Sequence, residues 1–169
     1  VVVLVKVPTY FDYFYTMEPK TTVLITGSNR GIGLGLLERY LAKPSHVVIA
    51  AVRNPDHPTA QALHNLPTGP DTQLIVVKID ASVEKDAHDA VAELQQKHGV
   101  AHLDIVIANA GVAYIYPTVA DVKIEDIKAH MQPNVYGVIA LYQATRELLK
   151  KAAREPIFLI MGSSAGLLT

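Results

Sequence analysis

Thr22-Val23-Leu24-Ile25-Thr26 runs directly into Gly27-Ser28-Asn29-Arg30-Gly31-Ile32-Gly33, and this junction decides the architecture. The β-branched, apolar run reads as a short buried strand, and the glycines after it mark a tight turn. Gly31 to Leu41 follows as a helix and His46 to Val52 (HVVIAAV) as a second strand, which makes one βαβ unit. At such a strand-to-helix turn the unpaired N–H groups and the helix dipole favour a negative charge, and a chain without side chains in the way lets a pyrophosphate approach the backbone. A lone glycine cluster more often marks only a turn. Its position between a strand and a helix, with a second strand beyond, is what gives this one weight.

Working outward, the alternation continues. A polar, proline-rich region from Asn54 to Thr72 carries a short helix around Thr59 to Asn65, and Gln73 to Ile79 (QLIVVKI) is a third strand. Ser82 reads as an N-cap, after which Val83, Ala87, Ala90, Val91 and Leu94 recur at helical spacing until Gly99, a natural stop. Leu103 to Ala108 is a fourth strand. Asp121 to Lys151 reads as helical with an interruption at Pro133, and Pro156 to Met161 is a fifth strand. Strands alternating with helices predict an α/β fold: a doubly wound parallel sheet of order 3-2-1-4-5 with the ligand crevice at the carboxyl ends of the strands, where the order reverses. The near-continuous apolar runs predict strands buried on both faces.

Composition sets the outer limits. The chain has 169 residues, half of them hydrophobic and 18% charged, with a formal net charge of -1. Such a balance gives no general attraction to nucleic acid or to an acidic membrane surface, so neither is an expected partner. With no cysteines, a disulfide framework, thiol catalysis and zinc-thiolate sites are excluded. This fits a reducing compartment, and the expected location is the cytoplasm. His98 and His102 are separated by the helix stop at Gly99, so no metal site is expected. Residues 1–16 (VVVLVKVPTYFDYFYT) form an apolar extension broken by Lys6 and Pro8, too short to span a bilayer and without signal-peptide features. The expectation is that they lie outside the domain, which occupies residues 17–169; the rival reading is an added strand.

The spacing G-x-x-x-G-x-G, preceded by Thr26, resembles the nucleotide loop of the short-chain dehydrogenase/reductase family, and the likeness extends from about Thr21 to the end of the chain. It implies a Rossmann-type fold in which Gly27, Ser28, Asn29, Arg30, Gly31, Ile32 and Gly33 surround the cofactor. The second strand ends in Val52-Arg53-Asn54, without the carboxylate that binds the adenosine ribose of NAD. Arg53 and Arg30 supply two guanidinium groups suited to a 2′-phosphate, so NADP(H) is the expected cofactor; two solvated surface arginines are the competing reading. Asp80 and Ala81, after the third strand, match the family's adenine-side position, although Asp80 read alone is a helix-capping residue. Ala108-Asn109-Ala110-Gly111 is close to the family's N-N-A-G signature with the first Asn replaced, so Asn109, Ala110 and Gly111 are expected to line the pocket. Asp104 is expected to be structural.

The same resemblance implies catalytic roles. Asn134, in Met131-Gln132-Pro133-Asn134-Val135-Tyr136-Gly137, occupies the place of an Asn whose backbone holds a water in a proton relay, and Pro133 gives a cause for the local break in the helix. Ser164, with Ser163 as fallback, matches the Ser that hydrogen-bonds a substrate carbonyl. Family members complete the set with a Tyr-x-x-x-Lys pair. No tyrosine here has a lysine four residues on. The expectation is therefore a truncated reductase, its further strands and helices lying beyond Thr169, that binds cofactor with little or no turnover. The parent is expected to transfer hydride between nicotinamide and a ketone or secondary alcohol and to form a homo-oligomer. Within the family, T-G-S-N-R-G-I-G-L-G-L and M-Q-P-N-V-Y-G-V-I-A-L-Y look most like fungal norsolorinic-acid-type ketoreductases, which implies a polyketide-like substrate. Two alternatives stand beside this reading. One is a non-catalytic dinucleotide-sensing module. The other is an α/β-hydrolase elbow at Gly162-Ser163-Ser164-Ala165-Gly166, which lacks an Asp, Glu or His after the Ser.

Overall fold

The computed structural model describes residues 19–163. The extension at 1–16 and the segment 164–169, with the expectations attached to them, lie outside the described residues. Five parallel strands, β1 (Thr21–Thr26), β2 (His46–Val52), β3 (Gln73–Lys78), β4 (Ile105–Ala108) and β5 (Ile157–Ile160), form one sheet of order β3-β2-β1-β4-β5. This is the order read from the sequence. The connections carry α1 (Gly31–Leu41), a short α2 (Pro58–Gln61) continued by a 3₁₀ turn (Ala62–Asn65), α3 (Glu84–His98), α4 (Ile124–Met131), a π-helical turn (Gln132–Tyr136) and α5 (Gly137–Leu149).

Strand alternation divides the core in two. Along β1, Val23 and Ile25 face one way and pack with Leu37 and Leu41 of α1, Val48 of β2 and Leu63. Leu24, pointing the other way, joins Ile49, Val77, Leu94 of α3, Val106 and Leu148 of α5. Both faces of the central strands are thus dry, which is why their apolar runs are unbroken. At the sheet edge β5 departs from the expectation of burial on both faces: Ile157, Leu159 and Ile160 are all exposed, Ile160 by 60%.

The boundaries differ at several strand and helix ends. The third strand stops at Lys78, one residue short of the expected Ile79, and the fourth begins at Ile105 instead of Leu103. Leu103 instead donates its N–H to Leu148 O at the end of α5. Ser82 is not the N-cap of α3; Val83 is, and it makes no side-chain cap bond. Ser82 donates its N–H to Asp80 Oδ1 (2.9 Å), while Asp86 Oδ2 accepts from Asp80 N (3.0 Å), so two carboxylates organise that turn. At the other end Gly99 adopts φ +64° and closes α3 in the left-handed conformation, as its identity predicts. The long helical region starts at Ile124, later than the expected Asp121, and its interruption is a π-turn that contains Pro133. Pro133 has no N–H to return to the preceding turn, and the ladder widens to Gly137 N–H on Gln132 O.

At the end of the sheet away from the glycine turn, Asp104 ties the central strands together. Its Oδ2 accepts from Thr22 N (2.8 Å) and lies 3.2 Å from His102 Nε2, while its backbone N–H donates to Thr22 O (2.9 Å) and its carbonyl accepts from Ile157 N (2.8 Å). Asp104 is 7% exposed, so Asp104→Ala would leave the Thr22 N–H buried without a partner. Chemical denaturation of this variant is expected to show a loss of about 1–3 kcal/mol, the cost of one unsatisfied buried donor. An unchanged midpoint would remove the structural role.

Candidate functional site

The carboxyl ends of β1 and β4 meet at the point where strand order reverses, and the glycine turn lies there. Gly27 and Gly31 hold φ of +64° and +56°, a region costly for other residues. Gly33 is required for a different reason: a Cβ on it would fall 2.3 Å from Gly27 O and 2.6 Å from Asn109 Nδ2. The bare turn can therefore fold back against β4. The N-terminus of α1 emerges from it without compensation, since Arg30 as N-cap makes no side-chain bond and the first turn carries no acidic residue. Ser28 is fully buried in the same turn, and its Oγ has no hydrogen-bond partner among the described residues. An uncapped helix end beside an unsatisfied hydroxyl is chemically suited to an anion. Ile32, in that first turn, is 67% exposed, an apolar side chain open beside the polar loop.

Beneath the turn sits a junction that the sequence did not reveal. Thr26 Oγ1 accepts from the N–H groups of both Asn109 (3.0 Å) and Ala110 (2.9 Å) and donates to Ile107 O (3.4 Å). In return the Asn109 carboxamide donates to Thr26 O (2.9 Å) and Gly27 O (3.3 Å). Thr26 is 3% exposed, so this is an interior connection between two strand ends. Its sequence signals were a threonine immediately before the first glycine of the turn and the Asn109-Ala110-Gly111 segment, which the family resemblance implies stabilises the central sheet.

Arg30 and Arg53 are both exposed, and neither makes an ion pair among the described residues. Asn29 reaches away from the turn to Thr59 Oγ1 (2.6 Å) at the start of α2. Asp80 spends one carboxylate oxygen on Ser82 N, in keeping with its capping character. Ala81 lies against α5: a Cβ on Gly137 would fall 2.2 Å from Ala81 O, and Gln132 Nε2 donates to Ser82 O (3.3 Å). The end of β3 is thereby held to the π-turn.

Asn134 lies within that π-turn, and its side chain is wholly engaged. Oδ1 accepts from Val112 N (2.9 Å) and Nδ2 donates to Val112 O (2.8 Å), a paired contact with the strap that follows β4. Gly111 sits directly below, where a Cβ would lie 3.2 Å from Asn134 Oδ1. The structure thus brings Gly27 to Gly33, Asn109 to Gly111 and Asn134 to one end of the sheet, with Asp80 and Ala81 beside the same π-turn. Ser164 lies outside the described residues; Ser163, exposed after β5, is its last described neighbour. The hydrolase elbow through Ser164 lies partly outside them too. Among the described residues no group of three or more His, Cys, Asp or Glu is arranged to hold a metal ion, and no helix is long and apolar enough to cross a membrane.

Comparison with known proteins fits this geometry. The family model for short chain dehydrogenase matches residues 21–168. The norsolorinic acid ketoreductase of Dothistroma septosporum is 47% identical over 134 residues, covering 79% of this chain and 50% of its own. That of Emericella nidulans is 42% identical over 152 residues, covering 90% and 57%. The chain therefore spans about half the length of the curated relatives it matches. Among solved structures, the NADPH-bound carbonyl reductase from chicken fatty liver superposes with a TM-score of 0.76 at 28% identity, covering 88% of this chain and 60% of its own.

The Thr26 junction has a direct test. Thr26→Val keeps the shape but removes the acceptor for two amides, each of which costs about 1–3 kcal/mol when buried and unpaired. Denaturant unfolding is expected to register at least the lower figure, and Thr26→Ser, which retains the hydroxyl, to recover most of it. A loss in Thr26→Ser with none in Thr26→Val would mean that packing of the methyl group, and not the hydroxyl, secures the two strands.

Proposed function

The chain belongs to the short chain dehydrogenase family, and on that premise we propose that it forms the cofactor-binding half of an NADP(H)-dependent ketoreductase. The observation that carries the cofactor preference is the pair Arg30 and Arg53, two exposed guanidinium groups with no ion-pair partner among the described residues, flanking an uncapped helix end. No carboxylate ends β2; the chain turns at Asn54, whose Oδ1 accepts from Asp56 N (3.0 Å). A carboxylate at the strand end would repel a 2′-phosphate, whereas a guanidinium pairs with it through two parallel bonds. The carbonyl reductase neighbour is described as NADPH-bound, which supports the same choice.

The residues fit the cofactor. Gly33 packs so closely on Gly27 O that no side chain fits there, which keeps the turn compact at the uncapped N-terminus of α1. Gly27, Ser28, Gly31 and Gly33 would hold the pyrophosphate, Arg30 and Arg53 the 2′-phosphate, and Asp80 and Ala81 the adenine side. Asn109, Ala110 and Gly111 would line the nicotinamide end, with Asn29 and Ile32 closing the loop. The bound nicotinamide would supply the hydride that reduces a ketone to a secondary alcohol. Asn134, with its carboxamide occupied by Val112, keeps its backbone carbonyl in the widened π-turn, where it could hold a water that relays a proton. Ser164 would donate to the carbonyl oxygen of the substrate as negative charge develops. The proton itself would come from a tyrosine of the longer parent, paired with a lysine that lowers its pKa. The names of the ketoreductase relatives support a polyketide-like ketone as the substrate of that parent.

Titration with NADPH and, separately, NADH at identical salt, followed by nicotinamide fluorescence, tests this reading. NADPH is expected to bind more tightly, and Arg53→Ala to weaken it by roughly tenfold or more, as loss of a charge-assisted bond implies, with NADH little affected. Equal affinity for the two nucleotides, or an NADPH affinity indifferent to Arg53→Ala, would overturn the cofactor assignment.

A further inference from the structure

The strap between β4 and α4 has almost no backbone support of its own. From Val112 to Pro117, the hydrogen bonds to its backbone among the described residues come from two side chains on the facing helical segment: Asn134, paired with Val112, and His130, which accepts from Tyr114 N at 2.9 Å. The match is geometric. One helical turn, four residues, rises about 6 Å, and two residues of extended chain rise about 6.6 Å, so side chains at 130 and 134 meet alternate residues of an extended strap.

Both ring nitrogens of His130 have backbone partners whose roles are fixed. Nδ1 lies 2.6 Å from Asp126 O, which can only accept, so Nδ1 carries the hydrogen. Nε2 faces the Tyr114 N–H, which can only donate, so Nε2 presents a lone pair. These partners select a single tautomer, with the hydrogen on Nδ1 and the lone pair on Nε2. The Tyr114 ring stands edge-on to it, centroids 5.2 Å apart and planes at 67°. Beyond this clasp the strap presents apolar and aromatic groups to the open side: Tyr114, Ile115 and Tyr116 are all exposed, Tyr116 by 86%. Behind Ile115 runs a groove of about 260 Å³, walled by Ile127, Met131 and Val135 and reaching Asn134.

From this we infer that His130 is a positioning residue for the ketone site: as a neutral backbone acceptor it fixes the Val112–Tyr116 strap as the aromatic rim against which a flat, apolar substrate lies. The assignment of the rim to a ketone substrate rests on the function proposed above; the clasp itself does not. A proton added at Nε2 would set two donors against each other at 2.9 Å and release the strap. Tyr114 on the strap faces the ring, and Asp126, on its own helix, lines the same groove. Protonation of the ring at Nε2 is therefore predicted to open the clasp.

The test uses the complete protein and two independent readouts. Nitrogen NMR of His130 is expected to show a protonated Nδ1 and a bare Nε2 at neutral pH, and Tyr114 amide protection, corrected for intrinsic exchange, to fall as the ring protonates. His130→Phe, which keeps a ring but removes the acceptor, is expected to lower that protection about fivefold or more, the factor expected of one net hydrogen bond. His130→Gln, whose amide oxygen can accept, is expected to restore it. In turnover, His130→Phe should raise KM for the ketone severalfold with kcat within about twofold, since the rim touches no reacting atom. A hydrogen on Nε2 in the wild type, or Tyr114 protection unchanged in a folded His130→Phe variant, would overturn the inference; should His130→Phe not fold, the wild-type tautomer and pH-dependent protection still decide it. If NADPH does not bind, yet tautomer and protection behave as stated, the proposed function fails and the clasp survives. If NADPH binds and the protection is indifferent to His130, the reverse holds.

Discussion

Two parallel strands that are distant in sequence must end at the same level for a crevice to exist between them, and here the exchange between Thr26 and Asn109 sets that level. The hydroxyl of Thr26 collects two amides of the β4 terminus, and the carboxamide of Asn109 returns to two carbonyls of the β1 terminus. The glycine turn depends on this junction. Gly27 packs within 3.1 Å of Ala110 Cα when given a notional Cβ, and Gly33 crosses over Gly27 O, so the first turn of α1 is aimed by the β4 side of the sheet. The anion-suited helix end is oriented by hydrogen bonds that touch no ligand themselves.

A second layer builds on the first. Directly after Asn109 the chain leaves the sheet, and Asn134 takes it up again at Val112. That contact is made from a π-turn, where Pro133 has already spoiled the regular ladder and Gly137 lets the helix close on Ala81. Three strand ends, β1, β4 and β3, are in this way joined through side chains and bare backbone, with no loop contributing a regular element. Sites of this kind are precise because their supports are rigid and their connections are few.

The fold was legible because its signals are local. Apolar runs and the glycine turn gave the strands, their order and the first helix. Gly99 stopped α3 as expected, and Pro133 marked the interruption before Asn134. Errors arose where a group from elsewhere competed for a terminus: Ser82 lost the cap of α3 because the Asp80 and Asp86 side chains occupied the turn, and Leu103 was taken from β4 by the backbone carbonyl of Leu148. The exposure of β5 could not be read from Ile157-Phe158-Leu159-Ile160, since an edge strand and a central one look alike in composition. Likewise the glycines and arginines around the crevice were visible as residue types at a known spacing. Thr26 was visible only as the residue before the first glycine, and His130 not as a site residue at all, because their importance lies in which backbone groups they meet across a gap of many residues, and nothing in a linear pattern encodes that.

The strand order has a kinetic consequence. Among the described strands β1 is made first and stands at the centre of the five, yet on one side its partner arrives 82 residues later, as the Thr22–Asp104 contact measures. While β2 and β3 can add to its other flank during synthesis, the β4 flank of β1 remains an open parallel edge until the chain has grown past Ala108. Closure over so long a loop is slow. During that interval Leu24 and Ile25 belong to a half-built sheet that other chains can pair with, so the rate of release from the ribosome and the presence of a chaperone bear on how much of this protein reaches its native state.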